Sequence, residues 1–128
     1  MTYNNSTENN NEKLLNKNNF FYKSDELKQY IIDVLEELKA ENIVVFDIAE
    51  RFSLADYIII ASGNSSRHIN ALAMFVIEKL KEKKILASVD GLESSNWIVI
   101  DAGVVIAHIF HPETREFYNL EKIWRITQ

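Results

Sequence analysis

Hydrophobic positions recur along this chain with two different periods, and the switches between them lay out its elements. Acidic Asp25 and Glu26 stand where a first helical turn favours negative charge, and Leu27, Ile31, Val34, Leu35 and Leu38 follow at helical spacing. This predicts a helix over about 25–40 with Ser24 as its N-cap. Ile43–Phe46 is a β-branched and aromatic run between Glu41-Asn42 and Asp47, and it predicts a strand. Tyr57-Ile58-Ile59-Ile60 has no polar alternation at all, the pattern of a strand buried on both faces.

Ser62-Gly63-Asn64-Ser65-Ser66 ends that strand and offers hydroxyl caps to a second helix, in which Ile69, Leu72, Ala73, Val76 and Leu80 share one face. The helix ends near the Lys81–Lys84 cluster, where positive charge suits the helix dipole and reads as a solvated end. Ile85–Val89 is at most a short strand. Trp97–Ile100 and Val104–Phe110 form a predicted hairpin across Asp101-Ala102-Gly103, with Gly103 free to take positive φ. Pro112–Arg115 reads as a turn, Glu116–Tyr118 as extended chain, and Asn119 as the cap of a last short helix carrying Leu120, Ile123 and Trp124. The order α, β, β, α, β, β, β, α predicts an α+β layer architecture, a mixed β-sheet of about five strands with helices packed on it, rather than a doubly wound parallel sheet.

Composition narrows this picture. At 128 residues and 47% hydrophobic, the chain suffices for one ordered domain. Residues 1–23 are set apart as an Asn-rich leader, with eight Asn by position 19 and few apolar groups to offset the cost of ordering; 24–128 form the domain. Charge divides similarly: two acids and three bases in 1–24 leave +1, and 17 acids and 11 bases in 25–128 leave −6. No stretch reaches the roughly 20 apolar residues of a membrane span, and no secretory pattern opens the chain, so the reading is cytoplasmic. An acidic domain lacks the clustered Lys and Arg of a nucleic-acid module, so direct sequence-specific nucleic-acid binding is not expected and a basic protein partner fits better.

The available chemistry is limited. With no Cys and three His, disulfides and thiolate chemistry are excluded and metal binding has little to work with. Ser65, Ser66 and His68 resemble parts of a nucleophilic site, but two serines at a helix start read first as caps. The Gly63–Ser66 loop could face a phosphate, yet it lacks the spaced glycines and the Lys-Ser/Thr of nucleotide loops, and no carboxylate pair follows it to hold magnesium. His108 in an apolar strand reads as a hydrogen-bonded core or half-buried histidine, and strand parity turns His111 away from it. Trp97, Phe110, Phe117, Tyr118 and Trp124 concentrate aromatic mass in the last third, interleaved with Glu93, Asp101, Glu116 and Glu121. Core is one reading; an aromatic anchor with an acidic rim is the other.

Several separated motifs, in order over about residues 25–125, resemble the ribosomal silencing factor family, also called Iojap or RsfS. They are Asp56–His68 (DYIIIASGNSSRH), Asp90-Gly91-Leu92-Glu93, Trp97–Gly103 (WIVIDAG), His108, and Arg115–Trp124 (REFYNLEKIW), whose Tyr-x-Leu-Glu-x-Ile-Trp ending is distinctive. The resemblance implies a nucleotidyltransferase-like fold without catalysis, cofactor or metal. It also implies docking on the large ribosomal subunit through ribosomal protein L-fourteen, which blocks joining of the small subunit and represses translation. By resemblance the contact falls around Glu93, Trp97, Asp101, Phe117, Tyr118 and Glu121.

The chain departs from the family pattern in places. Asp90-Gly91 stands for the usual Glu-Gly, Ser62-Gly63-Asn64-Ser65 for Thr-Gly-x-Ser, and Val104 for an aspartate, a change expected to add exposed apolar surface. A homodimer through the aromatic face, a large-subunit assembly adaptor, and a nucleotidyl or phosphoryl transferase using the Gly63–Ser66 loop stay open as alternatives.

Overall fold

The computed structural model describes residues 23–50, 54–94 and 96–126. The chain order is α1 (Ser24–Glu37), β1 (Glu41–Asp47), β2 (Tyr57–Ser62), α2 (Ser66–Glu82), β3 (Ser88–Asp90), β4 (Trp97–Asp101), β5 (Val105–Phe110), α3 (Pro112–Tyr118) and α4 (Leu120–Ile126). The strands form a five-stranded sheet in the order β1-β2-β5-β4-β3. Pairing is antiparallel except between β2 and β5, which run parallel. That is the mixed α+β architecture expected from the hydrophobic pattern. The predicted leader lies outside the described residues except for Lys23, which precedes α1 in extended conformation.

The unbroken apolar run of β2 follows from its place inside the sheet. Ile58, Ile59 and Ile60 have no solvent exposure, since neighbours flank the strand and both faces are covered. Each such side chain contributes about 1.5–3 kcal/mol by burial. On one face, Ile59, Ala61, Ile98, Ile100, Val105, Ala107 and Ile109 pack beneath Leu27, Ile31, Val34 and Leu35 of α1 and Ile69, Leu72, Ala73, Val76 and Leu80 of α2. On the other face, Phe46, Ile58, Ile60, Ile106 and Phe110 form a second, smaller core that receives Leu120 and Trp124 of α4. Trp97 and Val99 lie at its margin, half-buried. Among the described residues, one face is therefore closed by two long helices and the other only in part.

Local chemistry departs from the sequence expectation at three places. Ser24 is the first helical residue rather than a cap; Lys23 takes the N-cap position and makes no side-chain capping bond. Pro112–Tyr118 is a helix, not a turn followed by extended chain. Pro112 occupies its first turn, where a missing N–H costs nothing, and the His111 ring caps it by accepting the Glu113 N–H at 3.3 Å. Asn119 then ends α3 in the left-handed region (φ 49°) instead of capping α4 with its side chain. Val104 packs its side chain against the main core, half-buried, and its carbonyl accepts the Asp56 and Tyr57 N–H groups, so only part of its apolar surface is open.

Ends of α1 and α2 share one device. Lys39 (φ 63°) and Lys84 (φ 60°) adopt left-handed conformation just past each helix, and the following Ala40 and Ile85 donate back to Leu35 and Leu80 at 2.9 Å. This closure usually recruits glycine, and here lysine accepts the strain. Gly91 has no such latitude: at φ +94°, a Cβ would lie 2.3 Å from the Trp97 carbonyl oxygen. The turn into β4, and with it the placement of Trp97, depends on that glycine.

Candidate functional site

Strand parity decides which side chains meet on the less covered face. In β4, Trp97, Val99 and Asp101 alternate outward while Ile98 and Ile100 enter the main core. The register sets Trp97 opposite Phe110, Val99 opposite His108, and Asp101 opposite Ile106. β3 adds Asp90 opposite Val99 and Ser88 opposite Asp101, both exposed. The result is an aromatic and aliphatic strip ending in carboxylates.

Trp97 organises the strip. Its ring stacks on Phe110 with centroids 4.9 Å apart and meets Tyr118 at 4.8 Å. Phe117 stands edge-on to Tyr118 at 5.0 Å, and the two are 80% and 51% exposed. The Trp97 indole N–H donates to His108 Nδ1 at 3.0 Å. Since an indole nitrogen only donates, Nδ1 must be the unprotonated nitrogen, and the neutral imidazole carries its proton on Nε2. Burial drives the His108 pKa down to about 4, so the ring is neutral at physiological pH.

The six residues marked by resemblance divide into three situations. Trp97, Phe117 and Tyr118 come together as the aromatic strip. Glu93 is exposed in the turn after β3, and exposed Asp101 accepts the Gly103 N–H at 2.9 Å, which fixes the hairpin tip. Glu121 faces inward. Its carboxylate takes a two-pronged bond from Arg115, Nε to Oε1 at 3.2 Å and Nη2 to Oε2 at 2.9 Å, and its side chain is only 12% exposed. The Arg115 hydrogen bond holds the Glu121 pKa below the usual carboxylate range, with burial opposing. Arg115 Nη1 also donates to Ser62 Oγ at 2.8 Å, beside a cleft of about 340 Å³ lined in part by Ser62, Pro112, Arg115, Glu116, Asn119 and Glu121.

Sequence reasoning left four of these residues without a site role: Val99, His108, Asp90 and Arg115. For the first two a signal existed in strand parity, since residues 97, 99, 106, 108 and 110 must share a face once the hairpin pairs as it does. Arg115 had none, because its partners lie 6 and 53 residues away.

Several polar groups of the Gly63–Ser66 loop are committed within the fold. Ser65 Oγ accepts the His68 N–H at 3.1 Å, as a helix cap should. His68 Nδ1 accepts the Asn64 N–H at 2.9 Å, which leaves its Nε2–H to donate to the Leu38 carbonyl at 2.8 Å. The imidazole thus ties the start of α2 to the end of α1 and is not poised as a base for either serine. Among the described residues, no three His, Asp or Glu side chains gather as a metal site.

A five-stranded mixed sheet, closed by helices on one face and carrying a partly open aromatic strip on the other, defines a small α+β domain of one recognisable class. The sequence profile described as "Ribosomal silencing factor during starvation" matches residues 22–128. The Ribosomal silencing factor RsfS of Zymomonas mobilis is 37% identical over 109 residues, covering 84% of this chain and 82% of that protein. A crystal structure from Chromobacterium violaceum superposes with a TM-score of 0.78 at 35% identity, covering 80% of this chain and 86% of that one. A mouse protein named "Mitochondrial assembly of ribosomal large subunit protein 1" is 30% identical over 100 residues, covering 75% of this chain and 44% of its own length. The chain belongs to the ribosomal silencing factor family. The names of these relatives describe action on the ribosome rather than catalysis.

Proposed function

We propose that this protein binds the large ribosomal subunit through ribosomal protein L-fourteen and, seated there, keeps the small subunit from joining and so represses translation. The supporting observation is the Trp97–Tyr118–Phe117 strip. Phe117 leaves most of its ring in water, although burial would release free energy, and it stands beside a half-buried tryptophan on the less covered face of the sheet. Interface energy concentrates in a few aromatic anchors of this kind once a partner excludes water. Asp90 and Asp101 lie on the same strand pair as Trp97, Glu93 is exposed in the turn between β3 and β4, and the chain carries a net charge of −5, so a basic partner is steered toward this part of the molecule at low salt. No bond is made or broken in this function, and no cofactor is required. Its place is the cytoplasm, where subunits meet; no helix among the described residues is long and apolar enough to cross a membrane.

Sedimentation of the full chain with isolated large and small subunits, at low and moderate salt, tests the reading. The expected result is co-migration with the large subunit, weaker at higher salt, and fewer joined particles. Binding without loss of joining would replace silencing by an assembly role, the one named for the mouse relative. Loss of co-migration on removing L-fourteen from the particle would tie the contact to that protein, and retention would refute it.

A further inference from the structure

Phe117 and Tyr118 are carried by α3, a seven-residue helix with no buried residue of its own. A helix that short is marginal in water, and besides the His111 cap and the Tyr118–Trp97 contact it is tied down through Arg115. From one side chain, 11% exposed, Arg115 bonds to Ser62 at the buried end of β2 and to both carboxylate oxygens of Glu121 on α4. Three elements meet at this guanidinium: the end of a core strand, the helix bearing the exposed rings, and the helix that covers the second core. The link between α3 and α4 is the single left-handed residue Asn119, so the corner is a sharp bend whose angle the ion pair spans. Phe117 and Tyr118 lie two and three residues beyond Arg115, within one helical turn. Rotation of α3 that broke the pair would carry Tyr118 off Trp97.

We propose that Arg115 and Glu121 are a positioning pair, whose fork seated on Ser62 fixes the α3–α4 corner and thereby holds Tyr118 against Trp97 with Phe117 turned outward for docking. This rests on the docking face proposed above, and it gives Glu121 a task behind that face instead of a direct contact with the partner. The low Glu121 pKa agrees, because the carboxylate stays ionised and the fork stays made at physiological pH. A planar guanidinium suits it: lysine supplies the charge and three donors, but all from one atom, and so lacks the parallel fork that meets both carboxylate oxygens while a third nitrogen reaches Ser62.

Glu121→Gln and Arg115→Lys in the full chain test this through three readings. They are the near-ultraviolet circular dichroism, to which the Trp97–Tyr118 pair contributes, amide exchange in α3 against that in β2 and β5, and co-sedimentation with isolated large subunits. In both variants the dichroism falls, and α3 amides exchange about tenfold faster while the strands keep their protection. Apparent Kd for the subunit rises about tenfold, as expected when one molecule in ten holds the corner in place. Weaker subunit binding by Glu121→Gln with unchanged dichroism and exchange would mean that Glu121 meets the partner itself, and would overturn the proposal. Arg115→Lys matching the parent chain in all three would overturn it as well, and this variant carries the test should Glu121→Gln lose strand protection. Failure of the parent chain to sediment with subunits would instead sink the docking face. Exchange and dichroism are read on the protein alone and would still decide the positioning role.

Discussion

Acidification isolates the contribution of His108. Its pKa is about 4 in the folded chain, against 6.5 for an unperturbed imidazole, because burial penalises the charged ring. The unfolded chain therefore binds the extra proton first, between pH 6.5 and 4. Stability from keeping this ring neutral is fully present above pH 6.5 and is lost as pH falls through that window. Linkage puts the loss at about 2 kcal/mol by pH 5 and about 3 kcal/mol by pH 4. Protonation would also place a proton on Nδ1, where the Trp97 N–H already points at 3.0 Å, so the link between the two rings must break. Urea unfolding at pH 8, 6.5 and 5, compared between the parent chain and His108→Gln, reads the effect. Glutamine has an oxygen to accept the indole N–H and does not titrate, while carboxylate titrations common to both chains cancel in the difference. The stability difference between the two proteins should shift by about 2 kcal/mol from pH 8 to pH 5, in the direction that favours the glutamine chain under acid. A difference that stays constant over this range, or an imidazole signal of His108 titrating at pH 6 or above by NMR, would refute the reasoning.

Phe117→Ala should weaken co-sedimentation with the large subunit while moving unfolding free energy by no more than about 0.5 kcal/mol, because an 80% exposed ring makes few internal contacts. Gly91→Ala should cost about 1–3 kcal/mol in denaturant unfolding, since positive φ and a 2.3 Å approach to the Trp97 carbonyl leave no room for a methyl group; a neutral outcome would mean the turn can be rebuilt. Ser65→Ala should lower stability by about 1 kcal/mol through loss of the α2 cap, with Ser65→Asp restoring most of it in thermal unfolding.

Period and turn chemistry by themselves determined most of the architecture. The helical spacing of Leu27–Leu35 and Ile69–Leu80 and the unalternated Tyr57–Ile60 each specify a local state that burial then reinforces, and exposed Gly103 at φ +88° specifies its turn by backbone freedom alone. The same reasoning failed between 112 and 119. There Pro112 and Asn119 fit a turn as well as they fit the start and stop of a helix, and α3 buries nothing that would leave a hydrophobic period in the sequence. The candidate site divides likewise. Trp97, Phe117 and Tyr118 stood out by type and motif, but whether each ring serves the core or the surface depends on how fully α4 covers the second face, which no local pattern records. Glu121 is the sharpest case. A carboxylate beside exposed aromatics reads from sequence as part of a rim, yet the folded chain turns it inward, because Arg115, itself bonded to Ser62 at the end of β2, reaches it only once strand and helices are assembled. Local preference acts over a few residues and is written in the sequence; the direction in which a charged side chain faces is set by partners brought from far along the chain, and only the tertiary structure decides it.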